Sequence, residues 1–103
     1  MSRTTFDPKL LGETKLLQFD FLSSLAAGET ISTQTVTATT YSGTDGSPSS
    51  IISGSASTSG SVVSQKVTGG VLGVVYELLC QVTTSAGQTL QMSAFLAVAP
   101  DLV

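Results

Sequence analysis

The stretch VVYELLCQV at residues 74–82 repeats its side-chain character every second residue, and this constrains the fold more than any other feature of the chain. A period of two is that of a β-strand, whose side chains point alternately to opposite faces. Glu77 and Gln81 fall on one face, which also carries Val75 and Leu79 and should therefore be partly covered. The other face is apolar, so it predicts a hydrophobic core that contains Tyr76, Leu78, Cys80 and Val82.

Weaker alternations of the same kind occur on both sides of this strand. TKLLQFDF at residues 14–21 predicts a strand with Phe19 and Phe21 in the core. ISTQTVTATTY at residues 31–41 predicts a second, with Val36 inward and Ile31 out of phase, which indicates either a bulge or a late start of the strand there. The last strand follows a tight turn at residues 85–88 and places Leu96 in the core.

Serine-rich segments fill the middle of the chain. Two weaker strands are expected around residues 50–57 and 61–68, after a loop that contains Asp45, Gly46 and Pro48. The chain has 16 serines and 15 threonines but only 11% charged residues, which suits strands and turns better than helices. Six or seven short strands closed by glycine turns predict an all-β chain folded as a two-sheet β-sandwich.

The N-terminal residues show no period and contain a proline. We therefore divide the chain into an extended arm, residues 1–13, and a sandwich, residues 14–103. The arm carries three spaced apolar residues, Phe6, Leu10 and Leu11, which we predict to bind a partner. We expect the arm to be disordered in the free monomer and to become ordered only against a neighbouring molecule.

Several classes of function conflict with the composition. The four basic residues are scattered and the net charge is -3, which disfavours nucleic-acid binding. No run of about 18 apolar residues exists for a membrane span, and the first residues lack the apolar region of a secretory signal. A single cysteine cannot form an internal disulfide, which is consistent with assembly in a reducing cytoplasm.

The residues that usually carry chemistry are also missing or isolated. Without histidine, neither a Ser-His-Asp nor a Cys-His arrangement can form. One cysteine is too few for a zinc site, and Asp20, Glu29 and Glu77 show no paired spacing. We interpret Cys80 as a packing residue and Tyr76 as a core or corner residue whose hydroxyl caps a nearby carbonyl. The sequence predicts a protein that is not an enzyme, with no catalytic residue, metal or cofactor.

Three segments together resemble one protein family. QFDFLSSLAAGETI at residues 18–31, VTA at residues 36–38 and GVVYELLCQVTTSAGQT at residues 73–89 are similar, in order and spacing, to phage fiber-tail adaptor proteins. The resemblance implies an immunoglobulin-like virion protein at the neck or tail, assembled in the host cytoplasm. It also implies several copies in a ring that contact other phage structural proteins, such as a tail fiber, an adaptor or nozzle, or the portal.

Two alternatives remain open at this point. One is a capsid decoration (cement) protein with a similar sandwich, and the other is an immunoglobulin-like module that binds carbohydrate. Sugar rings stack on exposed aromatic side chains, but Phe19, Phe21 and Tyr76 are expected to be buried. The remaining aromatic residues, Phe6, Tyr41 and Phe95, are expected to be too dispersed to form a platform.

Overall fold

The computed structural model describes residues 2–6 and 8–100 of the chain, with the side chains of residues 6 and 8–100. The described part confirms the prediction of an all-β protein with two sheets. Its strands are β1 (Ser2–Thr5), β2 (Lys9–Leu10), β3 (Lys15–Asp20), β4 (Ile31–Ser42), β5 (Ile52–Ser59), β6 (Val62–Val67), β7 (Val75–Thr84) and β8 (Thr89–Ala99). Two short 3-10 helices, Leu22–Ser24 and Pro48–Ile51, connect strands, and no helix in this part of the chain is long and apolar enough to cross a membrane.

The chain divides its strands between a larger and a smaller sheet. The larger sheet has the order β1-β8-β7-β4, with β2 also paired to β8, and the smaller sheet has the order β3-β6-β5. The chain changes sheets between β2 and β3, β3 and β4, β4 and β5, and β6 and β7. Apolar side chains from both sheets join in one hydrophobic cluster, which is the core of the molecule.

Strand β7 lies at the centre of the larger sheet, between β4 and β8. Its side chains alternate between buried and more exposed positions along the whole strand, as its period of two predicts. The core residues predicted on this strand are fully buried, and so are Phe19, Phe21 and Leu96. Val36 lies on β4, opposite Cys80 of β7, and is half-buried against the core.

A bulge on β4 explains why Ile31 is out of phase. The register with β7 shifts between Ile31 and Thr33, and this adds one residue to the strand at that point. Ile31 thereby reaches the inward side and packs against the core together with Val36.

The turn at residues 69–73 requires glycine at one position in particular. Gly70 has a φ of +95°, and a Cβ atom there would lie 2.9 Å from Val98 Cγ2. A side chain would therefore be strained twice, by the backbone conformation and by the contact. This glycine lets the turn press against the end of β8.

The N-terminal residues differ from the expectation of a free arm. They are extended, but β1 pairs in parallel with residues 92–95 of β8, and β2 pairs in parallel with residues 98–99 of the same strand. Between them, the Phe6 amide donates to the Phe95 carbonyl at 2.9 Å. Residues 2–6 and 9–10 pair with their own chain because β8 offers an edge, which a local sequence pattern cannot reveal.

Candidate functional site

Cys80 is fully enclosed on the inward face of β7. Burial raises the pKa of its thiol to about 12, because the low-polarity surroundings disfavour the thiolate. At neutral pH the side chain is therefore a neutral, apolar group. Among the residues that the structure describes, no group of three or more acidic or cysteine side chains could hold a metal ion.

Tyr76 forms a corner at the start of β7. Its hydroxyl accepts a hydrogen bond from the Val71 amide at 2.8 Å and donates one to Asp45 Oδ2 at 2.7 Å. The predicted acceptor for the Tyr76 hydroxyl is a backbone carbonyl, whereas in the structure the acceptor is the Asp45 carboxylate. Burial raises the pKa of Tyr76. The pKa of Asp45 is lowered, mainly by the hydrogen bond from Tyr76 and to a lesser extent by the hydrogen bond from the Ser47 amide.

At the opposite end of β7, two of the segments that carried the family resemblance meet. The Glu29 carboxylate accepts hydrogen bonds from the Ala26 amide and from the Thr84 hydroxyl. These bonds lower the pKa of Glu29, the backbone bond more than the side-chain bond. The Ser85 amide donates to the Thr30 carbonyl at 2.8 Å, and the Thr30 amide donates to Ser85 Oγ at 3.0 Å. These residues therefore hold two loops together.

The predicted partner-binding residues occupy different environments. Phe6 packs edge-on against Phe19, with ring centroids 5.4 Å apart and an angle of 85° between the rings. Leu10 is half-buried, whereas Leu11 is 38% exposed. Of the three, Leu11 is the one whose side chain is most accessible to a partner.

Lys9 is a buried residue that the sequence did not single out. Its side chain is 0% exposed, and its ammonium donates to the carbonyl groups of Leu10, Leu11 and Gly69 at 2.8–3.0 Å. Gly69 lies 60 residues away along the chain. The scattered basic residues of the sequence do not indicate this contact. It ties the N-terminal segment to the turn at residues 69–73.

Leu11 and that turn form an exposed apolar tip, which we define as Leu11, Val71 and Leu72. The Leu11 amide donates to the Ala99 carbonyl, and the Gly73 amide donates to the carbonyl of Val98, the preceding residue on β8. Both segments therefore lie at the C-terminal end of β8. All three side chains of the tip are exposed, although each is large and apolar.

A second accessible feature lies on the outer face of the larger sheet. The rings of Tyr41 and Phe95 are in contact, with centroids 4.5 Å apart and planes tilted by 52°. The expectation that these aromatic residues would be dispersed is therefore wrong for this pair. The outer face has a cavity of about 190 Å³ lined by Thr37, Thr39, Glu77, Leu79 and Ser93.

Ser93 is unusual among the residues of this outer-face cavity. It is 2% exposed, and its hydroxyl has no hydrogen-bond partner in the described part of the chain. A buried hydroxyl without a partner costs free energy, so most such groups in proteins are satisfied.

Comparison with known protein families gives a match to the greater part of the chain. A family model described as podophage GP4 fiber-tail adaptor protein gp77 matches residues 9–97, which include all of β2 to β7 and most of β8. Neither the curated proteins nor the solved structures contain a match.

Proposed function

The chain belongs to the podophage GP4 fiber-tail adaptor family, and from this premise we propose that it links tail fibers to the tail or to the head–tail connector. The observation that carries the proposal is the extent of the match, which spans strands of both sheets and not one hairpin. Members of this family are structural components of the virion, so the site that matters is a surface for other phage proteins.

The strand order supports an immunoglobulin-like topology as part of this proposal. In an immunoglobulin domain, the strands B, E and D share one sheet, and C, F and G share the other. Strands β3, β6 and β5 correspond to the first set, and β4, β7 and β8 to the second. Tyr76 also resembles the tyrosine corner of such domains, because its hydroxyl binds the backbone five residues upstream.

We propose that the apolar tip is the surface that contacts a partner. Leu11, Val71 and Leu72 are exposed, lie together at one end of the molecule and expose apolar surface that a protein contact would remove from water. This retains Leu11 from the predicted partner-binding residues. Phe6 and Leu10 then serve the partner indirectly, because they hold Leu11 in place.

The proposed assembly is a ring of copies formed in the host cytoplasm, with each tip against the tail fiber, the adaptor or nozzle, or the portal. The fold needs no disulfide for this role, because Cys80 contributes to the core as a neutral thiol. A capsid decoration protein is the competing proposal, and its distinguishing property is location on the head.

Locating the protein in purified phage particles tests the proposal. We expect density for the chain at the neck or tail in a cryo-electron microscopy map, and particles without the protein should lack fibers. Density on the capsid surface alone, with fibers retained when the protein is absent, would establish the decoration role instead.

The apolar tip is tested in the same particles with Leu11→Asp. A carboxylate in a desolvated contact is costly, so we expect incorporation to fall at least tenfold while the purified variant remains folded by circular dichroism. Leu22→Asp is the matched control, because Leu22 is 68% exposed and follows the far end of β3. Equal incorporation of both variants would mean that attachment lies elsewhere.

A further inference from the structure

We propose that the edge of β4 pairs with β4 of a second copy of this chain, antiparallel and about a two-fold axis at Val36. The pairing would join the larger sheets of two copies into one continuous sheet. It uses no residue of the apolar tip, so its failure would leave the adaptor role standing. The proposal rests on the length and lack of charge of β4, on the symmetry of its sequence and on the cleft beside it.

Strand β4 presents a long, regular edge. It is the longest strand that the structure describes, and it lies at the edge of the larger sheet. It pairs with β7 on one side, and no strand within residues 2–6 and 8–100 pairs with its other side. Its register with β7 shifts only near its two ends, and its sequence contains no charged residue and no proline. Such an edge offers backbone donors and acceptors that another strand can bond.

The other edges of the two sheets have features that discourage pairing with another strand. The far edge of the larger sheet consists of β1 and β2, which are only four and two residues long. Edge strand β3 has a charged residue at each end, Lys15 and Asp20. The register of edge strand β5 shifts between Ser53 and Ser57, and Gly54 within this interval has a φ of +73°. Short strands, charges and bulges all limit edge pairing, so β4 is the edge best suited to it.

The sequence of β4 matches itself when it is read in the opposite direction about Val36. Threonine occupies positions 33, 35, 37 and 39, all exposed on the outer face. In the proposed register, each of these threonines lies opposite a threonine of the second copy, and Val36 lies opposite the same valine. Cross-strand threonine pairs stabilise antiparallel strands, whereas like charges directly opposite each other destabilise them. Because β4 has no charge, a second copy is a partner that meets the first without repulsion along the strand.

The inward face of β4 has space for the side chains of an added strand. Gln34 bridges β4 to β5, because its amide nitrogen donates to the Ala56 carbonyl at 3.2 Å and its amide oxygen accepts from the Thr58 hydroxyl at 2.8 Å. The residue opposite Gln34 would be Ala38 of the second copy, whose small side chain leaves this bridge in place. A cleft of about 380 Å³ between β4 and β5 has Val36 in its lining. The opposing valine would cover apolar surface of this cleft and remove it from water.

The dimer would carry its two apolar tips at opposite ends. The tip lies at the C-terminal end of β8, which pairs with the start of β7, and the start of β7 pairs with the end of β4. Antiparallel pairing of the two β4 strands therefore points the tips in opposite directions. One dimer would thus present the same contact surface on two sides.

Analytical ultracentrifugation of the purified full chain tests the pairing without phage particles. We expect a monomer–dimer equilibrium in the micromolar range. As the protein concentration rises, every second amide in residues 33–39 should exchange with solvent more slowly, because the edge groups become hydrogen-bonded. This measurement uses the parent chain and depends on no variant.

Paired substitutions on the exposed face test the register, in which position 35 lies opposite position 37 of the second copy. The double variant Thr35→Lys, Thr37→Lys places like charges opposite each other twice, so we expect the dissociation constant to rise at least about tenfold. The variant Thr35→Lys, Thr37→Glu places opposite charges there and should dimerise like the parent chain. The control Gln18→Lys, Gln91→Lys adds the charge of the first variant at exposed positions on β3 and β8 and should also dimerise normally. Circular dichroism verifies that each variant is folded.

Four outcomes would overturn the proposal. The first is a chain that stays monomeric at every soluble concentration, and the second is a dimer that the lysine pair at positions 35 and 37 leaves intact. The third is equal dissociation by both charged pairs at these positions, which would exclude Val36 as the centre. The fourth is a monomeric chain whose lysine-pair variant alone is lost from particles, which would assign the edge to a strand of a different phage protein.

Discussion

Cys80 stands on β7 between Leu78 and Val82, two residues from each, and all three side chains are fully buried on the same face. Only a thiolate reacts rapidly with thiol reagents, and a pKa of about 12 leaves almost none of it at neutral pH. Enclosure adds a second barrier, because the reagent must wait for the two sheets to separate. The residue thus behaves as a small apolar side chain whose sulfur is inert while the fold persists.

We therefore expect the native protein to react with a thiol reagent at least a hundredfold more slowly than the protein unfolded in urea. Cys80→Val should fold and assemble normally, because it exchanges one small apolar group for another. The measurement is the absorbance change of an aromatic disulfide reagent, with and without urea. Equal rates in the two states would show that Cys80 is accessible, and an intermolecular disulfide in particles would assign it a bonding role.

Among the elements, the N-terminal strands are held by more than their short parallel ladders. β1 and β2 contribute four and two residues to the sheet. Lys9 fixes the end of β2 by donating to carbonyl groups from its own segment and from the turn at residues 69–73. Phe6 fixes the link between the two strands through its contact with Phe19. These contacts of Lys9 and Phe6 make the segment that was predicted to be a free arm part of the sheet.

Lys9→Met tests the contribution of the ammonium group. The methionine fills similar space but donates nothing, so partly buried carbonyl groups lose their donor, at about 1–3 kcal/mol for such a group. We expect the midpoint of urea unfolding to fall and the amide of Leu11 to exchange with solvent faster. Lys66→Met is the control, because Lys66 is exposed and should change stability little. Equal effects of the two substitutions would exclude an anchoring role for Lys9.

The elements also divide into those that the sequence predicts and those that it does not. Tyr76, Leu78 and Phe19 were placed in the core because alternation along a strand is local and can be read from neighbouring residues. The pairing of β1 with β8 depends on an edge some 90 residues away, and the contact of Tyr41 with Phe95 joins two different strands of the sheet. Neither contact leaves a periodic signal in its own segment.

For the whole molecule, two carboxylates at opposite ends of β7 contribute to stability in acid. Asp45 is bound to Tyr76 at one end and Glu29 to Thr84 at the other. The pKa of each is lowered in the folded state. Because the pKa of each carboxyl group is lower in the folded state, its contribution to folding stability is fully present above the ordinary pKa of about 4. The contribution is lost as the pH falls through the lower folded value.

We therefore expect stability to urea to be nearly constant between pH 7 and pH 5 and to fall between pH 4 and pH 2. The double variant Glu29→Gln, Asp45→Asn should be less stable than the parent at pH 7 and less sensitive to acid below pH 4. Urea melts of both proteins at each pH give the comparison. If the two proteins lose stability in parallel below pH 4, other groups control the acid response.

The parallel pairing of the N-terminal strands with β8 has a mechanical consequence. Because β1, β2 and β8 run in the same direction, tension that pulls residues 2 and 100 apart acts along the strands and slides them past one another. Every hydrogen bond of the two short ladders then bears the force at once, as in shear. Tension across an antiparallel hairpin such as β7–β8 would instead peel its bonds one after another. Tension applied at residues 2 and 100 would thus meet the sheet in its more resistant direction.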